Sequence, residues 1–556
     1  MKKISHILLL FLALNIVECF ARTNFRERIY LQTDKHLYLA GEPVLIKLVT
    51  TDTELIPTTF SRIGYVELVR DSIAALQIMV KLKNGVGTGQ MILPADLPTG
   101  YYRLIAYTQF MRNEDYPVFF ERNIAVLNTF LMDYEPSEVR NRPISQNIKN
   151  FSTGVSVQPN QAIYATRERG EVILDGLPEN IRTLSITIAG RDWIPATESN
   201  MALFERTQTK ESTKFSGQFL PEYEGHIITG KLVRNEIEEL TNETLLPCIS
   251  FPGEGTSFFP GQITENGDVR FVTSGGLGTT EVATIVYFSD ENYRVDILSP
   301  FITRFSPREM PILHIDTTYY EQLLQRSVAL QLFRFFSENS SENVFEPFLK
   351  TSPSETYLLR EFTRFTTMRE IFTEFILGAR FRRRDGDWRM SVLTRNRSGS
   401  FEHGTQPLVL LDGVPISSHN MIFNYDPLLV ERIDIYYGPF AFGGHLFDGV
   451  IKFTTYRRQH EGLNFTGSSQ LLSYTGPQTP FLFQTIDHSN EEQRRSRVPD
   501  GRHTLLWNPN ITSNGKPSVR LPFNTSDLTG EFQITVEGIT KDGAFIHATS
   551  SFKVSE

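Results

Sequence analysis

The chain has 556 residues, which at about 100–200 residues per domain suggests roughly three to five domains. Hydrophobic residues make up 40% and charged residues 21%, the proportions of ordinary globular protein, so long disordered stretches are not expected. A net charge of -9 and a pI near 5.8 give no electrostatic footprint for nucleic acid and no general attraction to anionic lipid.

The N-terminus reads as a secretory signal over residues 1–21: Lys2 and Lys3 supply charge, Ile7 to Val17 is apolar except for Asn15, and Ala21 offers a small residue for cleavage. That stretch is too short to cross about 30 Å of hydrocarbon as a helix, and no later segment reaches the length, so no transmembrane segment is expected. The two cysteines are Cys19 and Cys248. Ile16-Val17-Glu18-Cys19 has the outline of a lipobox, but Glu18 occupies the place of a small residue, so a lipid anchor at Cys19 is open and not favoured. With Cys19 removed, Cys248 has no partner for an internal disulfide.

From Arg28 to about 130 the pattern is short strands with turns. Tyr30 to Lys35, Val44 to Val49, Tyr65 to Val69 and Tyr102 to Tyr107 are strand candidates, and Gly41 to Pro43 is a turn. Glu171 to Leu174 and Leu184 to Ala189 mark a second β unit, the latter alternating as one buried face requires. His226 to Leu232 opens a third, in which Glu265-Asn266-Gly267-Asp268 is a hairpin turn. Two helices follow. Leu324, Val328, Leu332, Phe335 and Phe336 make one apolar stripe, and Met368, Ile371, Phe372, Phe375 and Ile376 another, read as core packing. Thr367 and Glu370 form a capping box, and Gly378 stands where that helix would stop.

Two resemblances follow from these residues. Tyr30-Leu31-Gln32-Thr33-Asp34-Lys35, with Tyr38, Gly41 and Val44, resembles the opening of the second macroglobulin domain of the α2-macroglobulin superfamily, and Leu97 to Leu104 resembles a later strand of that domain. Pro407-Leu408-Val409-Leu410-Leu411-Asp412-Gly413-Val414-Pro415, then Val430-Glu431-Arg432-Ile433-Asp434, then Gly438-Pro439, then Gly449-Val450-Ile451, resembles the plug domain of TonB-dependent outer-membrane receptors, with four pieces in the family's order. That family continues into a barrel whose strands alone take about 200 residues. Only 105 residues follow Ile451, and they read as one more sandwich, so the chain as given is not expected to close a pore.

The resemblances imply a mainly β fold class: several macroglobulin/Ig-like β-sandwiches in series, a small α+β plug-like domain and a short helical linker. The expected domains are a macroglobulin-like sandwich at 22–130, a second at 131–220, a regulatory-type sandwich at 221–300, a helical linker at 301–365, the plug-like domain at 366–460 and a C-terminal macroglobulin-like sandwich at 461–556.

Motifs that would carry chemistry are missing. Cys248 is followed by Ile249-Ser250, not by the rest of a thioester. His460-Glu461-Gly462-Leu463-Asn464 has Asn464 where a zinc-protease helix needs its second His. There is no Gly-x-Ser-x-Gly elbow, and Asn514-Gly515-Lys516 lacks the spacing of a phosphate loop. No enzyme, cofactor or metal site is expected. Arg380, Arg382, Arg383, Arg384 and Arg389 form the one dense basic patch, either a docking surface for an acidic partner or for lipopolysaccharide phosphate, or simply a solvated hairpin, which is the commoner case. Tyr436, Tyr437, Phe440, Phe442 and Phe447 form an aromatic run that is either a contact surface or core. The candidate partner-contact residues are Asp412, Gly413, Gly438, Pro439 and Gly449, with Arg382, Arg383 and Arg384 as a docking patch. The expected function is a non-catalytic scaffold or adaptor binding other envelope proteins at the periplasmic face of the outer membrane, an outer-membrane β-barrel among them. The alternatives are an accessory to a TonB-dependent uptake system and a non-thioester protease inhibitor.

Overall fold

A computed structural model describes residues 25–114, 118–131, 154–192, 194, 198, 200–209, 214–234, 245–253, 257–274, 276–287, 293–303, 305–315, 319–336, 351–395, 401–442, 444–463, 469–479, 481 and 483–556. The expected signal segment, Cys19, Asn464 and Gly443 lie outside them. The described chain is mainly β, with its strands in seven sheets, and divides into two compact units. One comprises Met1–Tyr223, Thr303–Ser340 and Pro480–Glu556; the other comprises Glu224–Ile302 and Ser341–Thr479.

In the first unit, strands Glu27–Thr33, Pro43–Asp52 and Val86–Ile92 form one antiparallel sheet. Leu37–Leu39, Phe120–Leu127, Gly100–Tyr107, Ile63–Arg70 and Ile73–Lys81 form another. The two faces approach closely at Gly64, where a β-carbon would lie 2.5 Å from Leu48 Cδ1 and 3.5 Å from Ile29 Cδ1. Gly41, with φ +94°, makes the turn between strands that the sequence places there.

The strands expected to make two separate sandwiches, at 131–220 and 461–556, make one. Ile181–Gly190 pairs with Gly530–Thr540 on one side and Thr504–Asn508 on the other. Arg169–Asp175 pairs with Ser518–Asn524. Leu184, Ile186 and Ile188 share a core with Leu505, Phe523, Ile534, Val536 and Phe552. The few strands of 156–190 have too little apolar area to close a core by themselves, and strand periodicity carries no information about which distant strand completes it.

The expected linker at 301–365 is also redistributed. Helix Tyr320–Phe336 buttresses the first unit: Leu323 and Leu330 are buried with Leu37, Leu39, Ala125 and Leu127. Its buried face is not the expected stripe, since Leu324, Val328 and Leu332 are 48%, 47% and 41% exposed; the side chains of Phe335 and Phe336 lie outside the described residues. Polar groups set that face. Arg326 binds Glu42 through two bonds of 2.7 Å and Asp192 at 3.1 Å, and Ser327 hydrogen-bonds Thr129 at 2.7 Å. Lys35 joins Glu42 at 3.1 Å. Burial opposes the charge on Glu42, but Arg326 and Lys35 together outweigh it and hold the carboxyl well below the usual range. Asp34 accepts from Tyr38 Oη at 2.7 Å, from Leu45 N at 3.1 Å and from Thr504 Oγ1 at 2.7 Å. The Thr33-Asp34-Lys35 segment is thus where the two sandwiches and the helix of this unit lock together.

In the second unit, Tyr293–Ile297, His226–Arg234, Asp268–Thr273, Ser257–Ile263, Leu246–Phe251 and Thr279–Tyr287 form a sheet that gains Ser469–Thr475 at its edge, from beyond the expected boundary at 460. A second sheet runs Glu355–Leu358, Val430–Phe442, His445–Thr455, Leu408–Leu411 and Val414–Pro415, with Leu408–Leu411 parallel to His445–Thr455. Glu355–Leu358 therefore belongs to this sheet and not to a linker. Val409, Leu411, Ile433, Ile435, Ile451 and Phe453 pack under helices Met368–Glu374 and His419–Phe423. Leu408, Leu410, Phe447 and Val450 pack against Leu246, Cys248, Phe258, Ile285 and Tyr287. Burial on both faces explains the unbroken apolar run at 408–411. The capping box of Thr367 and Glu370 is present, but Gly378 is a close-approach residue and not a cap: a β-carbon there would lie 2.5 Å from Tyr437 Oη.

No helix among the described residues is long and apolar enough to cross a membrane.

Candidate functional site

The Asp412-Gly413 turn joins Leu408–Leu411 to Val414–Pro415. Both residues have positive φ, +48° and +87°, as a two-residue hairpin of this hand requires. The Asp412 carboxylate accepts from Thr455 N at 2.7 Å, Thr455 Oγ1 at 2.5 Å and His460 N at 2.9 Å. It is buried and committed to holding the 455–460 turn.

Around it lies a pocket of about 260 Å³ lined by Gly253, Asp412, Arg432, Lys452, Thr454 and Arg458. The hairpin register builds it. Arg432 faces Thr454 and Asp434 faces Lys452 across the two long strands. Side chains alternate along a strand, so these four share one face, while Ile433, Ile435, Ile451 and Phe453 take the other and enter the core. Asp434 accepts from Thr356 Oγ1 at 2.8 Å and lies 3.0 Å from Arg432 Nε, which is off the line a hydrogen bond needs. Arg458 reaches Glu431 at 3.6 Å. Burial pushes the Lys452 ammonium below its ordinary value; Asp434 pulls it back up, and Arg432 adds to the push down.

The remaining expected residues do not join this pocket. Gly438, with φ +87°, and the exposed Pro439 make the bulge where the register of Val430–Phe442 shifts, a position that tolerates a missing N–H. Gly449 is a packing residue, since a β-carbon would lie 2.6 Å from Tyr436 O and 2.9 Å from Val392 Cγ1. The aromatic run is core. Phe447 is buried, Phe442 stacks on Phe258 at 4.4 Å, and Tyr437 donates to Glu355. Arg432, Lys452, Thr454 and Arg458 were missed in the sequence, although the polar–apolar alternation of 432–435 and 451–454 carries the signal.

The arginine cluster lies on hairpin Ala379–Arg384/Asp387–Arg395, turned by Asp385-Gly386 with φ +51° and +91°. The register puts Arg380, Arg382, Arg384 and Arg389 on one face, and Phe381, Arg383, Trp388 and Met390 on the other. Arg383 therefore leaves the patch expected of it. The second face is packed except near the turn, where Arg383 is exposed: Trp388 stacks on Phe423 at 4.2 Å, Phe381 meets Phe423 and Phe372, and Met390 is buried. Met390 N donates to His419 Nδ1 at 2.8 Å. Burial, helped by Arg389, pushes His419 down to about 4. On the first face Arg382, Arg384 and Arg389 are exposed, and among the described residues only Arg384 has an ion pair, with its neighbour Asp385 at 3.6 Å. His403, on the next strand, is lowered by burial and by Arg382.

His460 to Leu463 forms a turn and not a helix, and among the described residues no group of three His, Cys, Asp or Glu is placed to hold a metal. Cys248 is buried, which raises its thiol well above its ordinary value.

No family model matches the chain, and no curated protein does. Among solved structures it aligns with Salmonella alpha-2-macroglobulin reacted with methylamine (8% identity, 95% of this chain and 39% of that chain, TM-score 0.25). It aligns also with Escherichia coli alpha-2-macroglobulin activated by porcine elastase (9% identity, 95% and 44%, TM-score 0.25). A third is FdeC, an Escherichia coli adhesin (8% identity, 50% and 66%, TM-score 0.14). The chain spans about two fifths of the length of the two macroglobulins.

Proposed function

We propose that this chain is a non-catalytic scaffold of the cell envelope that docks an acidic protein partner on the arginine face of hairpin 379–395. The observation that carries the reading is the two-sidedness of that hairpin. One face is fixed by Phe381, Trp388 and Met390 in an aromatic and apolar core, and the other displays Arg382, Arg384 and Arg389 to solvent. Arginine forks on a rigid ladder lose little freedom on binding and match carboxylates two bonds at a time. The envelope setting rests on the signal-like N-terminal sequence and the plug-like order of motifs from 407 to 451. The same motif order favours an outer-membrane β-barrel protein as the partner.

Affinity capture of the chain from gently solubilised outer membranes, with mass spectrometry of what is retained, tests this. A stoichiometric envelope protein is expected. Recovery of the chain alone from extracts of cells that express it would overturn the scaffold reading.

A further inference from the structure

We propose that the pocket beside Asp412 is a binding site for a phosphoryl group. Three of its six lining residues are cationic, Arg432, Lys452 and Arg458, and they surround a hydroxyl, Thr454 Oγ1. Two of these donors stand idle. Thr454 is 8% exposed and its Oγ1 is buried without a hydrogen-bond partner; a buried hydroxyl left so is costly unless something occupies it. Lys452 is partly buried and has no hydrogen bond or ion pair among the described residues, although burial disfavours its charge. Arg326, Arg28 and Arg502, by contrast, are buried cations tied down by carboxylates.

Among the described residues no acid forms an ion pair with Lys452. Asp412 is engaged by three donors, and Asp434 is held by Thr356 and lies beside Arg432. Side chains bearing an ammonium, a hydroxyl and two guanidinium groups line one space, a set that suits a tetrahedral dianion with several acceptor oxygens. At about 260 Å³ the pocket exceeds what a bare phosphate needs, so it also admits part of the body that carries the group. The pocket's polar lining gives no apolar seat for an acyl chain, so the phosphoryl group enters head first, whether from a sugar phosphate or from a lipid headgroup.

Isothermal titration of the full chain with inorganic phosphate, with glucose 1-phosphate, and with phosphatidylcholine vesicles carrying phosphatidic acid tests the site. Phosphate and at least one of the two esters are expected to bind, and Lys452→Met and Thr454→Val are each expected to weaken binding about tenfold, the loss of one charged or polar contact. Preference for glucose 1-phosphate identifies a free sugar phosphate as the source; preference for the vesicles identifies a headgroup. Thr454→Val keeps shape and volume and serves if Lys452→Met fails to fold. Absence of binding by all three probes, or binding that neither substitution alters, would overturn the proposal.

Discussion

The two compact units handle charge in opposite ways. In the first, several ionised groups are drawn inside and matched. Arg28 meets Glu114 at 2.8 Å, Arg326 and Lys35 meet Glu42, and Arg502 meets Asp500 at 2.7 Å. Glu27 is buried under the hydroxyls of Thr58, Ser61 and Thr108 at 2.6–2.7 Å; burial raises its carboxyl, and the hydroxyls work against that. In the segment 351–463 of the second unit the core is apolar and the arginines stand outside it, on the hairpin face and around the pocket. A buried pair adds little net stability over an apolar replacement, but removing one partner is costly, so such pairs fix which surfaces meet. Cations left at the surface do nothing for the fold and remain available to a partner. The proposed docking face and the proposed phosphoryl pocket both lie in the second unit.

The contrast breaks most sharply at Arg326. Arg326→Ala strands Asp192 and leaves Glu42 with Lys35 alone, and a loss of about 3–5 kcal/mol is expected. Hydrogen exchange should quicken in Leu37–Leu39 and Tyr320–Phe336 while Leu408–Leu411 keeps its protection. Unchanged exchange in the first unit would show that the buried pairs do not hold it together.

Lys47 sharpens the same point, because it is a buried charge of the first unit that is poorly matched. It is 2% exposed, and burial lowers it to about 7 despite the opposing pull of Glu537. Its unfolded value is about 10.4, so between the two the unfolded chain holds more protons, and stability rises with pH from about 7 to about 10. The rise is expected to be on the order of a few kcal/mol and to vanish in Lys47→Met. Denaturant melts at stepped pH read it, and an equal slope in the variant would remove the assignment.

A smaller effect belongs to the second unit. His419 is buried and accepts the Met390 N–H, with a value of about 4 against an ordinary 6.5. The unfolded chain takes up the proton first, so the stability of this unit is kept above about 6.5 and lost as pH falls toward about 4. A loss of roughly 1–3 kcal/mol is expected over that window, flattened in His419→Leu. Loosening of Asp387–Arg395 in acid, followed by hydrogen exchange, is the matching local readout.

Much of this architecture was legible in the sequence, and the gaps have physical causes. Strands at 44–49, 65–69, 102–107 and 184–189, the Gly41 turn and the Thr367–Glu370 box follow from alternation and local turn chemistry, which are short-range. The merging of 156–190 with 504–555 was not legible, because strand pairing is decided by which partner completes a core. The face of helix Tyr320–Phe336 was misread because Arg326, whose partners lie at 42 and 192, outranks the apolar stripe. At the site, Asp412 and Gly413 stood out through the motif order of 407–451. Lys452 and Thr454 were hidden because a lone Lys or Thr in a strand looks like any solvent-facing position until the register sets it beside Arg432 and Asp434.

The central claim is that the solvent face of the 379–395 hairpin is a docking surface. The most direct test compares envelope capture by the native chain and by Arg382→Glu/Arg384→Glu/Arg389→Glu, at about 50 mM and about 500 mM salt, since exposed charges are screened over that range. A stoichiometric partner is expected to be held at low salt, released at high salt, and missing from the reversed variant even though that variant folds with native exchange protection in Leu408–Leu411. Equal retention of the partner by both chains would contradict it.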